Sequence, residues 1–293
     1  MFCALNGAVR TPCRTSHRHS PATRTLLPAS DVVPAINNAP PTVRKTPSLS
    51  VPADIIHVMV SAPATTVLVH SPYLGPASLR PLAGALAALG QPVLLLDLRV
   101  TVNAAPVHQR LIGMFADAVE DSLVEGELVL VGHSGAGPLL PAFADALETP
   151  VTGLVFLDAD LPAPGRSWRD DAPADRMAHL KSISRDGLMP RWDRWFAPEV
   201  LSAMVPDVRL LEEIVGEEAE VPLAFLKEPR PTVAWTGPCG YLRLSEAYRT
   251  PFGTARDLGW PVRELESHHL AAASDPDAVA RPLTDLITEL STR

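Results

Sequence analysis

Ser134 stands in the run Val129-Leu-Val-Gly-His-Ser-Gly-Ala-Gly137, between a short apolar stretch and a helix-length segment. Its neighbours Gly132, Gly135, Ala136 and Gly137 are small. A serine at a tight strand-to-helix turn needs such neighbours, because larger side chains collide with the adjoining strand or helix. Gly132-His-Ser-Gly-Ala136 matches the nucleophile elbow G-x-S-x-G with Ala136 in place of the last glycine. The elbow holds the hydroxyl clear of the backbone beside a helix amino end. It also aims the N–H of Gly135 at an oxygen that gains negative charge during acyl transfer. A glycine-rich phosphate loop uses similar residues, but no Lys-Ser/Thr pair follows here, which disfavours a P-loop.

A serine needs a base to attack near neutral pH. His268 and His269 lie in Glu266-Ser-His-His-Leu270, shortly before Asp275-Pro276 and a terminal helix-length segment. Serine first and histidine near the C-terminus is a recurrent order for such a pair; the plain alternative is two solvated loop histidines. A carboxylate must then orient the imidazole. Asp158 closes the apolar run Val151–Asp158, with Asp160 two residues on, and Glu246 follows Leu244-Ser245. Asp158 is preferred as the acid, because an ionised side chain after so apolar a strand requires a partner. Glu246 is the alternative, with a plain explanation as a charge near a helix amino end. Asp97 more simply caps a turn.

These residues need a frame that brings distant segments together. Thr65–His70, Pro92–Asp97, Glu127–Val131 and Val151–Asp158 are short runs rich in Val and Leu, as strands buried on both faces require. Between them lie helix-length segments at Ala77–Leu89, Val107–Val124 and Pro138–Leu147. The alternation predicts a doubly wound α/β fold with a mostly parallel sheet. Gly240–Leu244 and Pro261–Leu265 read as further strands; a partly helical Ser245–Leu258 and a helix from Asp275 to about Leu290 complete the set. The stretch 162–231 interrupts the alternation with Trp168, Trp192, Trp195 and many prolines. It is too long for a turn and reads as a helical cap over the carboxyl edge of the sheet, where ligands bind. The core is then 59–161 and 232–293. The tryptophans serve packing or an apolar substrate group, Cys239 reads as a buried thiol, and Glu212 to Glu218 reads as a solvated helix face.

The chain has 293 residues, 46% hydrophobic and 20% charged, ordinary for a globular protein. A net charge of −8 without a basic face excludes a general nucleic-acid binder. No apolar run is long enough to span a membrane. Residues 1–58 differ from the rest: six bases, Arg10, Arg14, Arg18, Arg24, Arg44 and Lys45, face only Asp31 and Asp54. The composition predicts a disordered basic head or an upstream mis-start with Met59 as the true opening; an organellar transit peptide is a third reading. The stretch Ile55–Val60 could add an edge strand. Cys3, Cys13 and Cys239 form neither a disulfide framework nor a metal pattern, so the cytoplasm is the expected compartment.

From Val60 to Ile287 the chain resembles actinobacterial-type α/β-hydrolases of undefined substrate. The resemblance rests on Val69-His-Ser-Pro-Tyr-Leu-Gly-Pro76, Gly132–Gly137, Leu154-Val-Phe-Leu-Asp-Ala-Asp-Leu-Pro162 and Cys239-Gly-Tyr-Leu-Arg-Leu-Ser245, with Gly259-Trp-Pro-Val262 and His269 to Pro276. It implies the α/β-hydrolase fold, His269 rather than His268 as base, and an acid after the next-to-last core strand or, less commonly, after the strand before it. It also implies an oxyanion hole from Gly135 and the loop after the first strand. There Pro72 has no N–H to donate, so the second donor is expected from Tyr73, by backbone or phenol, or from Ser71. His70 is expected to bridge loops. The expected function is a serine hydrolase cleaving a small ester or related acyl compound through an acyl-enzyme, with no cofactor and no metal. Thioester cleavage, acyl transfer, C–C hydrolysis or non-catalytic ligand binding are the alternatives. The expected partner is a small-molecule substrate, with no nucleic acid or membrane; the sequence leaves the oligomeric state open.

Overall fold

The computed structural model describes residues 63–292. The basic head 1–58 and the edge strand expected at Ile55–Val60 lie outside the described residues. Eight strands follow: β1 (Thr65–Val69), β2 (Val93–Leu95), β3 (Leu128–His133), β4 (Val151–Leu157), β5 (Leu188–Met189), β6 (Val221–Pro222), β7 (Cys239–Arg243) and β8 (Val262–Glu264). Six of them form a parallel sheet in the order β2-β1-β3-β4-β7-β8, while β5 and β6 pair antiparallel. The helices are α1 (Arg80–Ala88), α2 (Val107–Asp121), α3 (Leu140–Asp145), α4 (Trp168–Asp171), α5 (Ala174–Ile183), α6 (Pro198–Met204), α7 (Val208–Glu217), α8 (Arg249–Asp257), α9 (Ala271–Ser274) and α10 (Pro276–Ser291).

The two-residue period of the strands builds two cores. Val67 and Val69, Leu128 and Leu130, Leu154 and Phe156, and Tyr241 face one way. They pack on Leu111 and Phe115 of α2, Phe143 of α3 and Ala255 of α8. The intervening Leu68, Val129, Val131, Val155, Leu157 and Leu242 face the other way, onto Leu82 and Leu86 of α1 and Leu283, Leu286 and Leu290 of α10. Near-continuous Val and Leu runs are what burial on both faces demands, so the doubly wound α/β expectation holds.

Strand order sets the place of the site. From β1 the chain steps outward to β2, then returns to β3 on the other side. The loops after β1 and β3 therefore diverge and leave a crevice at their carboxyl ends. Ser134 follows β3 directly, and the His70–Gly75 loop follows β1.

Between β4 and β7 the chain forms the helical cap, with α4 to α7 and the β5–β6 pair. Charged side chains fasten it to the core. Glu228 accepts the N–H groups of Val107 and His108 at 2.8 and 3.0 Å, placing a carboxylate on the open amino end of α2. Glu217 accepts the N–H of Ala77 and pairs with Arg80. Leu74, Ala77, Val205, Ile214 and Leu270 form an apolar cluster beneath α7.

Two local expectations are corrected. The glutamates from 212 to 218 are not all solvated: Glu217 of α7 clamps the loop after β1, and Glu218, just past the helix, is only 7% exposed. Ile214 of the helix packs on Leu74, Ala77 and Val205 and brings its end into the core. The elbow opens on a 3-10 segment, Ser134–Leu139, and α3 starts only at Leu140, because Pro138 and Pro141 interrupt the regular ladder. The partly helical reading of 245–258 holds: a 3-10 turn, Glu246–Tyr248, leads into α8.

Candidate active site

Ser134 has φ +57°, the left-handed conformation of a sharp elbow. The glycines beside it answer to space. A Cβ on Gly137 would lie 2.6 Å from the carbonyl oxygen of Asp160, and one on Gly132 would lie 2.9 Å from Leu140. Two elements can pass so close only without side chains between them. Ser134 stays 9% exposed, at the floor of a cavity of about 440 Å³.

His269 also lines that cavity and is 9% exposed. Its Nδ1–H donates to Asp158 Oδ2 at 2.7 Å. Asp158 is 0% exposed and accepts three further hydrogen bonds: the N–H groups of Leu244 and Ser245 at 2.8 and 2.9 Å, and the Ser245 hydroxyl at 2.7 Å. Burial alone would raise this carboxyl. The imidazole of His269, with the donors of Ser245 and Leu244, instead holds it below the usual carboxylate range.

The His269 ring is stacked on both sides. His133 lies at 4.6 Å between centroids with 27° between planes, and Tyr248 at 5.2 Å with 15°. His133 Nε2–H donates to the carbonyl oxygen of His269 at 3.1 Å. Burial, reinforced by the neighbouring His269, pushes His133 down to about 3, so it stays neutral beside the base. Among the described residues Ser134 Oγ makes no hydrogen bond to His269; its partner is the Tyr248 hydroxyl at 3.3 Å. Catalytic hydrogen bonds are often incomplete before substrate binds.

The other sequence candidates fall elsewhere. Glu246 is exposed and paired with Arg249 and Arg243, away from His269. His268 contacts Ser274 at 3.4 Å rather than a carboxylate. His70 bridges loops: its Nε2 accepts the N–H of Leu98 at 3.0 Å, and its Nδ1–H donates to Ser71 O at 2.8 Å. Asp97 accepts the N–H of Arg99 at 3.1 Å in a turn. Burial pushes the Cys239 thiol up to about 12. Among the described residues no cluster of three or more His, Cys, Asp or Glu side chains could hold a metal ion, and no helix is long and apolar enough to cross a membrane.

Gly135 meets the loop after β1: a Cβ there would lie 3.2 Å from Pro72 Cδ, 3.4 Å from Ser71 Oγ and 3.8 Å from the Tyr73 ring. The Tyr73 N–H points to Ser71 Oγ at a long 3.4 Å, and the Tyr73 ring packs edgewise on Trp195 and Phe225. Trp168, Trp192, Trp195, Phe196 and Leu180 of the cap face Ser134 across the cavity. A side lobe of about 240 Å³ opens between Asp160, Trp168, Arg176 and Arg230.

Tyr248 went unremarked in the sequence. It is an ordinary tyrosine three residues beyond Ser245, and only the turn that follows β7 brings it to Ser134.

No protein-family model and no curated protein matches the chain. Among solved structures it is similar to an extracellular α/β-hydrolase from a Paenibacillus species, with 19% identity and a TM-score of 0.61 over 76% of this chain and 99% of that one. It is also similar to a pyrethroid hydrolase from Sphingobium faniae, with 20% identity and a TM-score of 0.57 over 79% and 100% of the two chains. A third is polyneuridine aldehyde esterase, with 19% identity and a TM-score of 0.55 over 77% and 99%. The fold is that of the α/β-hydrolases.

Proposed function

We propose that this chain of α/β-hydrolase fold is a serine hydrolase that cleaves a small ester or related acyl compound through an acyl-enzyme. The observation that carries the reading is the buried 2.7 Å hydrogen bond that His269 donates to Asp158, with the His269 ring on the same cavity as the left-handed Ser134. In this reading Ser134 Oγ turns from Tyr248 to His269 Nε2, gives up its proton there and attacks the acyl carbon. The carbonyl oxygen takes the electron pair and faces Gly135 N–H, with a second donor from Tyr73 or Ser71. His269 then passes its proton to the departing alcohol, and water repeats the cycle on the acyl-enzyme. Asp158 keeps the imidazole proton on Nδ1, which leaves Nε2 free to accept the proton of Ser134. The three tryptophans suit an apolar acyl or alcohol group.

On the motif set of the sequence we place the chain with actinobacterial-type α/β-hydrolases, and on its cysteine usage in the cytoplasm. A second reading, a ligand binder that does no chemistry, draws on Pro72, which supplies no N–H to the oxyanion site. Labelling by a fluorophosphonate separates the two. The wild-type chain is expected to label and to hydrolyse 4-nitrophenyl esters, and Ser134→Ala to do neither while melting normally. An unlabelled wild-type chain sinks the hydrolase reading.

A further inference from the structure

Tyr248 touches both reacting groups, and the steps described above do not use it. Its hydroxyl lies 3.3 Å from Ser134 Oγ, and its ring lies nearly parallel to His269 at 5.2 Å. Its backbone is set by a fixed neighbour, since Ser245 is tied to Asp158 through both N–H and hydroxyl. The side chain therefore belongs to the rigid part of the site, not to its cap.

The position decides which substrate atom the phenol meets. Once Ser134 Oγ has attacked, the ester carbon is bonded to it and carries two oxygens. The former carbonyl oxygen turns to Gly135 N–H, beside the Ser71–Tyr73 loop. The alkoxy oxygen turns to His269, because that ring must protonate it. Tyr248 is stacked on His269, so its hydroxyl stands on the alkoxy side.

We propose that Tyr248 is a catalytic residue of this reaction, leaving its contact with Ser134 Oγ to donate its O–H to the alkoxy oxygen of the ester and stabilising the charge that builds there as the alcohol leaves. The step rests on the hydrolase reading above. When the intermediate collapses, the bond from carbon to alkoxy oxygen breaks and its electron pair stays on that oxygen. The proton that oxygen takes comes from His269, while Tyr248 keeps its own and contributes a hydrogen bond only. Burial pushes the phenol well above the ordinary tyrosine value, with Asp160 adding to it, so the donor stays protonated. A hydrogen bond to a developing anion in a water-poor site is among the stronger ones.

The test compares the full chain with Tyr248→Phe, which keeps the stacked ring and removes only the hydroxyl. Esters of one acyl group are offered with leaving groups from 4-nitrophenol to simple alkyl alcohols. Aryl oxides leave readily unaided, whereas alkoxides need the donor. The ratio of aryl to alkyl kcat/KM, which reports the acylation step, is expected to rise about 10- to 100-fold in the variant. A tyrosine that merely packs on His269, or holds only Ser134, would lower all rates alike. An unchanged ratio overturns the proposal while leaving the hydrolase reading intact. A wild-type chain that neither labels with fluorophosphonate nor hydrolyses any of the esters overturns both.

Discussion

Asp158 takes four hydrogen bonds in a site closed to water, and each of its donors comes from a different atom of β7's end or of His269. Replacing it by Asn leaves shape and size but sets an N–H₂ either against the two N–H groups at Oδ1 or against the Ser245 hydroxyl and the imidazole at Oδ2. The ring is then turned or held in the wrong tautomer. Turnover is expected to fall by about 10⁴ in Asp158→Asn, the scale of that change in a serine protease. Glu246→Gln should lose little, because it breaks an exposed pair with Arg249 and one with the buried Arg243, which Glu264 still holds. Near-normal turnover in the first variant, with collapse in the second, would return the acid to the turn after β7. That Asp158 would be buried with a partner was legible in the sequence for a physical reason: an ionisable side chain closing a strand as apolar as Val151–Leu157 has to find one. Tyr248 was illegible because a tyrosine in a loop carries no spacing signal.

At the scale of elements, strand periods and the elbow glycines were readable because burial on both faces and close approach leave few residue choices. The cap was not, beyond its existence and helical character, since each of its short helices α4 to α7 fully buries at most one side chain, too few to set a readable period. Glu218 illustrates this. It follows α7, accepts the Asp193 N–H at 2.7 Å and faces the Asp193 carboxylate, with Arg191 and Arg194 paired to Asp193. Glu218 Oε1 and Asp193 Oδ1 are buried without a hydrogen-bond partner of their own. Burial, with the Asp193 carboxylate, pushes Glu218 from its ordinary 4.5 up to about 8. A carboxyl raised on folding keeps its proton in the native state after the unfolded chain has lost it. Its contribution to stability is therefore complete below about 4.5 and is lost as pH rises to about 8. Urea midpoints taken across that window should show Glu218→Gln gaining on the wild-type chain as pH rises. Parallel profiles would show that Glu218 ionises freely in the folded cap. The same turn carries Trp192 and Trp195, so loosening it would open one wall of the cavity.

For the whole molecule, the sheet, both helical layers and the cavity are built from residues 63–292. We propose that a chain beginning at Met59 folds and works like the full one. Its melting temperature should fall by no more than about 4 °C, equivalent to about 1 kcal/mol for a domain of this size. A larger drop, or loss of solubility, would mean that the basic head contributes contacts to the domain. The place of Asp158 has a further consequence, for how such a protein can change. With the carboxylate supplied from the end of β4, the turn Glu246–Tyr248 has no acid to hold, although it still borders the nucleophile. Ala247 and Tyr248 can then be exchanged together without dismantling the pair of Asp158 and His269. A small library at these two positions would explore leaving-group preference on an unaltered charge-bearing scaffold, giving selection a handle that an acid in that turn would have frozen.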